Sequence, residues 1–137
     1  MILIASLCML REIEVAALRV KHVTLDSVRR TIRLYLASSK TDIMARGVIV
    51  SGGCICGTPP SRVCAYCAGL AHYEDLLRIL GAPLNPDSPF FPTPDGGTPT
   101  KANVVAAMRS AAHAQGLPAP EQNRDYTGHS FRVSGAQ

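Results

Sequence analysis

No stretch of the 137-residue sequence approaches the roughly 18 apolar residues that a bilayer-spanning helix needs, so no membrane insertion is expected. The apolar start, Met1 to Leu10, lacks a basic leader and a small-residue cleavage site, and Arg11-Glu12 follow at once, which argues against a signal peptide. Internal repeats and low-complexity tracts are absent as well. Five cysteines, an odd number, do not suggest an extracellular disulfide scaffold; the expectation is an intracellular protein, nuclear if the source is eukaryotic. What is present is 47% apolar residues in a length that suits one domain with its own core. Charge is modest overall, at +4, but uneven. Between Arg19 and Arg46 seven basic residues stand against Asp26 and Asp42, so this stretch alone carries +5. A phosphate-facing surface has such a stripe, and so has an ordinary solvated hairpin.

Leu3, Leu7, Leu10, Ile13, Ala17 and Leu18 recur at three- and four-residue spacing and predict one amphipathic helix from the N-terminus to Leu18. From Val20 to Val50 the pattern changes to alternation. Val23 and Leu25, then Ile32, Leu34 and Leu36, then Val48 to Val50 predict three short strands in a meander, with Lys40 on the turn between the second and third. Ser51 to Cys67 reads as a Gly-, Pro- and Cys-rich loop, the core of an insertion at about 51–70. A short helix over 71–80 should bury Leu76, Leu77 and Leu80 and stop at Gly81. Six of the ten prolines lie between Pro83 and Pro99, which predicts a surface connection. Thr100 caps a helix over 101–115 that buries Val104, Met108 and Ala111, and His129 to Arg132 open a last helix. The fold class expected is α+β, mostly helical: an amphipathic helix, a three-stranded antiparallel β-meander, then helices.

Arg11, Lys40, His129 and Arg132 stand out by setting rather than by type. Taken singly, each has an ordinary reading as a surface, solubility or capping residue. Taken in order, they resemble the tyrosine-recombinase (phage-integrase-like) family over nearly the whole chain. Leu10-Arg11-Glu12-Ile13-Glu14-Val15 leading to Val23-Thr24-Leu25-Asp26 is similar to the family's first arginine motif. Ser39-Lys40-Thr41-Asp42 resembles its hairpin lysine motif, and Thr127-Gly128-His129-Ser130-Phe131-Arg132 its His-x-x-Arg box. Pro89-Phe90-Phe91-Pro92 looks like the connector before the family's following helix.

The resemblance implies a partial catalytic domain over 1–137 that acts on double-stranded DNA, whose full-length relatives assemble as homo-oligomers on it. Strand transfer passes through a pentacoordinate phosphorus, and its extra negative charge calls for donors in fixed geometry. By resemblance, Arg11 and Arg132 form the phosphate clamp, since a guanidinium gives two parallel charged bonds and stays protonated. Lys40 is the expected proton donor to the leaving oxygen, and His129 a donor to the phosphate or an aid to proton transfer. Glu14, one turn from Arg11, is expected to orient its guanidinium by a salt bridge. The family's nucleophile is a tyrosine after the His-x-x-Arg box, whereas Tyr35, Tyr66, Tyr73 and Tyr126 all precede Arg132. The expectation is therefore a fragment inactive by itself, with no cofactor required for its chemistry.

Cys54-x-Cys56 and Cys64-x-x-Cys67 lie within fourteen residues. Four thiolates suit one structural zinc in tetrahedral geometry, although Cys-x-Cys is tighter than the usual spacing; free reduced thiols are the other reading. Cys8, on the apolar helix, is expected to be simply buried. The alternative to a recombinase fragment is a non-catalytic, zinc-stapled nucleic-acid-binding or interaction module organised by this loop.

Overall fold

A computed structural model of the chain, which describes residues 1–37, 46–57 and 64–116, divides the apolar N-terminus into two helices, α1 (Ile2–Leu7) and α2 (Glu12–Ala17), in place of the single one expected. The break is local in origin. Met9 takes a left-handed φ of 49°, the Leu10 amide bonds back to the Ala5 carbonyl at 2.8 Å, and Arg11 is extended. This changes the buried set: Ile4, Ala5, Cys8, Leu10, Val15, Ala16 and Leu18 are inside, while Leu3, Leu7, Ile13 and Ala17, expected there, are exposed.

A 3₁₀ turn at Val20–His22 leads into β1 (Val23–Asp26), β2 (Thr31–Leu36) and β3 (Val48–Gly53), an antiparallel meander in that order. The register sorts side chains by the twofold period of a strand. Leu25, Ile32 and Gly52 share the inner face, as do Val23, Leu34 and Val50; Thr24, Arg33 and Ser51 share the outer one. With this sheet and its helices the chain is α+β, as its patterning predicts.

The third helix, α3 (Ala65–Leu80), crosses the inner face and is a turn and a half longer at its start than expected. Gly69 makes that approach possible: a Cβ there would lie 2.5 Å from Ile32 Cδ1. Leu76 is buried and Leu77 partly so, but Leu80 is 47% exposed, because the last turn of α3 runs past the sheet. After Gly81 ends the helix, the proline-rich connector departs from expectation. It is not merely a surface link, for Phe90 and Phe91 are 0% and 4% exposed and join the main core. Main-chain bonds from Val20 to Ser88, Lys21 to Pro86 and Phe90 to Leu18 stitch it to the segment after α2 and satisfy backbone groups that the prolines leave unpaired. The last described helix, α4 (Lys101–Ala114), is capped by the Thr100 hydroxyl accepting from the Asn103 amide, and it buries Val104, Met108 and Ala112 against α2. Ala112 takes the place expected for Ala111, which is half-buried.

Candidate phosphate cleft and thiol centre

Arg11 is the residue before the first turn of α2, where four amides lack helical acceptors. Glu14, buried at 6% exposure, turns back and accepts the Arg11 amide at 2.7 Å through Oε2. The contact thus runs to the Arg11 main chain and not, as expected, to its guanidinium. It fixes the direction in which Arg11 leaves the helix. Glu12, on the same turn, bonds Lys101 at 3.0 Å and ties α2 to α4.

Arg11 and Glu14 line a cleft of about 440 Å³ whose opposite wall is His22, Tyr35, Leu36 and Ala37. His22 Nδ1 accepts the Arg19 amide at 3.2 Å, and its ring meets that of Tyr35 edge-on with centroids 5.8 Å apart. Partial burial and then the charges of Lys21 and Arg19 lower the pKa of His22, so the imidazole is neutral at pH 7. The far side of the hairpin returns to the same place. Gly47 has φ +76°, which favours glycine, and it lies against the Tyr35 ring, so that an added Cβ would come within 2.5 Å and push the ring aside. The cleft is where β2 ends and where the hairpin comes back to begin β3.

At the opposite end of β2 stand the cysteines. Cys54 follows β3 directly, and its amide bonds the Arg30 carbonyl at 2.8 Å, extending the β2–β3 ladder by one pair. Cys64 caps α3, its sulfur accepting the Cys67 amide at 3.3 Å. All four sulfurs lie within 4.8 Å of one another, with Cys54 Sγ 3.7 Å from Cys67 and 3.8 Å from Cys64. A disulfide would require about 2.05 Å. A tetrahedral ion with sulfur bonds of about 2.3 Å holds its ligands about 3.8 Å apart, which matches both separations. The Cys-x-Cys half, expected to weaken the site, reaches the same centre because the strand end delivers Cys54 directly.

Electrostatics favour a cation there. Burial opposes ionisation of Cys64, but the Cys67 amide and the thiols of Cys56, Cys67 and Cys54 outweigh it and bring its pKa down to about 7. Cys67 is pushed up to about 12 by its bond to Cys64 and then by burial. One thiolate forms readily and the next is held back, an imbalance that a divalent ion would remove. The four cysteines can therefore bind a metal ion. Cys8 is elsewhere, buried at the end of α1, and burial pushes its thiol up to about 11. His72, near the cysteines in sequence, is not part of the centre: its Nε2 pairs with the Phe90 carbonyl at 2.6 Å and its ring packs on Phe90 and Phe91.

Of the residues singled out in the sequence, Arg11 and Glu14 share the cleft, and the four cysteines share the metal-binding centre. Lys40, His129, Arg132 and Tyr126 lie outside the described residues. His22 and Tyr35 in the cleft are not anticipated from the sequence; the basic neighbours of His22 and the outward phase of Tyr35 on β2 are the available signals. None of the described helices is long and apolar enough to cross a membrane. Comparison with protein-family models and with curated proteins finds no match for the chain.

Proposed function

We propose that this chain is the DNA-binding part of a tyrosine-recombinase-like catalytic domain, with zinc as the ion held by Cys54, Cys56, Cys64 and Cys67. One observation carries the first half. The turn bearing Arg11 and Glu14 faces the end of β2 across a single cleft, and Lys40 follows Ala37, on that cleft's wall, by three residues. Two motifs 29 positions apart in sequence would then serve one phosphate. In this reading Arg11 grips a backbone phosphodiester from one wall and Lys40 approaches it from the other, with His129 and Arg132 completing the set. The proposal concerns DNA binding; strand transfer would need a tyrosine beyond Arg132.

Zinc follows from chemistry. Four thiolates at tetrahedral spacing, two of them buried, suit a soft d¹⁰ ion rather than a hard oxygen-seeking one.

Titration of a labelled DNA duplex tests the reading. Affinity should fall steeply as salt rises, because neutralised phosphates release counterions. Arg11→Ala should weaken binding at low salt, and Lys40→Ala should change affinity less than about tenfold, since it removes one cation among several. Salt-independent binding would count against the reading. The thiol geometry favours a second reading, a zinc-stapled module without catalysis. Far-ultraviolet circular dichroism in chelator separates the two: a recombinase core keeps its helices, and a zinc module loses them.

A further inference from the structure

The turn between β1 and β2 carries Arg29 and Arg30, both exposed, and Arg33 stands two positions into the outer row of the sheet. None of the three forms an ion pair with a described residue, although the other ion pairs found use Lys21, Arg78 and Lys101. Arg33 has Thr24 on one side and Ser51 on the other, so its cross-strand neighbours are small hydroxyls and not acids. The one acid on the turn, Asp26, is engaged by the Arg29 amide at 2.8 Å. The third helix α3 covers the opposite face, with Gly69 against Ile32 and Leu25, while on the outer face His22 of the 3₁₀ turn meets Tyr35 edge-on.

This basic edge is tied to the thiol centre by a single main-chain bond. Arg30 takes a left-handed φ of 51°, a conformation unfavourable for any residue with a Cβ, and its carbonyl is held by the Cys54 amide. Cys54 in turn has its sulfur among the other three. An ion on the sulfurs would fix Cys54 and, through this bond, the turn that carries Arg29 and Arg30.

From this arrangement we infer that Arg29, Arg30 and Arg33, with the hydroxyls of Thr24 and Ser51, form a second contact surface for the sugar-phosphate backbone of duplex DNA, separate from the Arg11 cleft and held in shape by the metal-loaded cysteines. The inference rests on the DNA-binding reading above. It assigns the cysteine segment a role in DNA contact, not only in folding. Exposed guanidinium groups, with hydroxyls across from Arg33 and Asp26 the one described acid on the turn, match phosphate oxygens in charge and in donors.

The test compares six forms of the full chain on one 30-base-pair duplex over a salt series: the zinc-loaded and the chelator-stripped parent, Arg29→Ala/Arg30→Ala both zinc-loaded and stripped, and zinc-loaded Arg29→Lys/Arg30→Lys and Arg11→Ala. Each lost phosphate contact lowers the slope of log affinity against log salt by about 0.9. The alanine pair should lower it by about two and weaken binding about tenfold at low salt, while the lysine pair, with charge intact, keeps most of the slope. Chelation should reproduce part of the alanine effect in the parent and add little in the alanine variant. Cobalt substitution, read by its thiolate charge-transfer band, confirms that each variant still holds metal. Equal slopes for parent and alanine pair, with Arg11→Ala still weakening binding, overturn the inference and leave the DNA-binding reading standing. So does a chelated parent that keeps its full slope. A parent that fails to bind duplex at low salt removes both.

Discussion

The two ends of β2, about 20 Å apart along a six-residue strand, are secured by different chemistry. At the Arg30 end the chain closes on four sulfurs and a small cluster of Cys64, Tyr66 and Cys67 with Leu25 and Leu70, while Ile55 is 84% exposed and Val28 92%. At the Ala37 end it closes on a cleft backed by core residues, with Leu18 and Leu36 buried beneath and Phe90 bonded to the Leu18 carbonyl. One sheet therefore ends on a thiol cluster able to bind a metal at one side and on packed core side chains at the other. The difference teaches where each perturbation should be felt, because the same strand ladder reports on both.

Metal withdrawal should separate the ends most sharply. A structural zinc can carry much of the folding energy of the small unit it closes, so its loss should be felt first where the four sulfurs converge. In zinc-loaded protein, Cys64→Ser or excess chelator should accelerate amide exchange at 54–56 and in the first turn of α3, while Leu34 and Leu36 stay protected. Uniform loss of protection would show that the two ends are one cooperative unit. Phe90→Ala attacks the other end and should cost about 3–5 kcal/mol in denaturant unfolding, as expected for a fully buried ring, with metal stoichiometry unchanged. Glu14→Ala removes the acceptor of the Arg11 amide and should cost about 1 kcal/mol, measured the same way, with any weakening of DNA binding coming from a freer Arg11.

Acid should have the smallest effect. Burial lowers the pKa of His72 beneath the ordinary 6.5, so the folded state holds the neutral ring. The unfolded chain then binds more protons in that range, and the contribution is complete above about 6.5 and declines as pH falls through the lowered value. The melting temperature should drop between pH 7 and 5, and His72→Gln should flatten that drop; an unchanged profile would remove His72 from the account.

Residues with strict periodicity were read most easily. Ile32, Leu34 and Leu36 alternate so regularly that both the strand and its buried face follow from them, and the Thr100 cap and Gly81 stop mark helix ends by chemistry that needs no partner. The N-terminus defeated the same method because Leu3, Leu7 and Ile13 mimic a continuous stripe across a break made by main-chain geometry at Met9. Phe90 and Phe91 were hidden for a related reason: prolines indicate irregular backbone but say nothing about whether it lies outside or is pressed into a core. The cysteine centre was legible in its membership and not in its geometry, since Cys-x-Cys spacing looks cramped until β3 is seen to deliver Cys54 to the start of α3. In the cleft, Arg11 and Glu14 were found, but the bond between them goes to a backbone amide, a choice that residue types alone do not reveal.

The cysteine pairs also stand on either side of residues 57–63, and an ion bound by the four sulfurs would pin both ends of that stretch where sheet meets helix. Chain closure has then already been accomplished, and doubling the intervening length adds only about 0.6 kcal/mol of entropy. A peptide tag or reporter spliced between Gly57 and Val63 should leave the metal-loaded fold intact, which makes this stretch the natural port for labelling the protein.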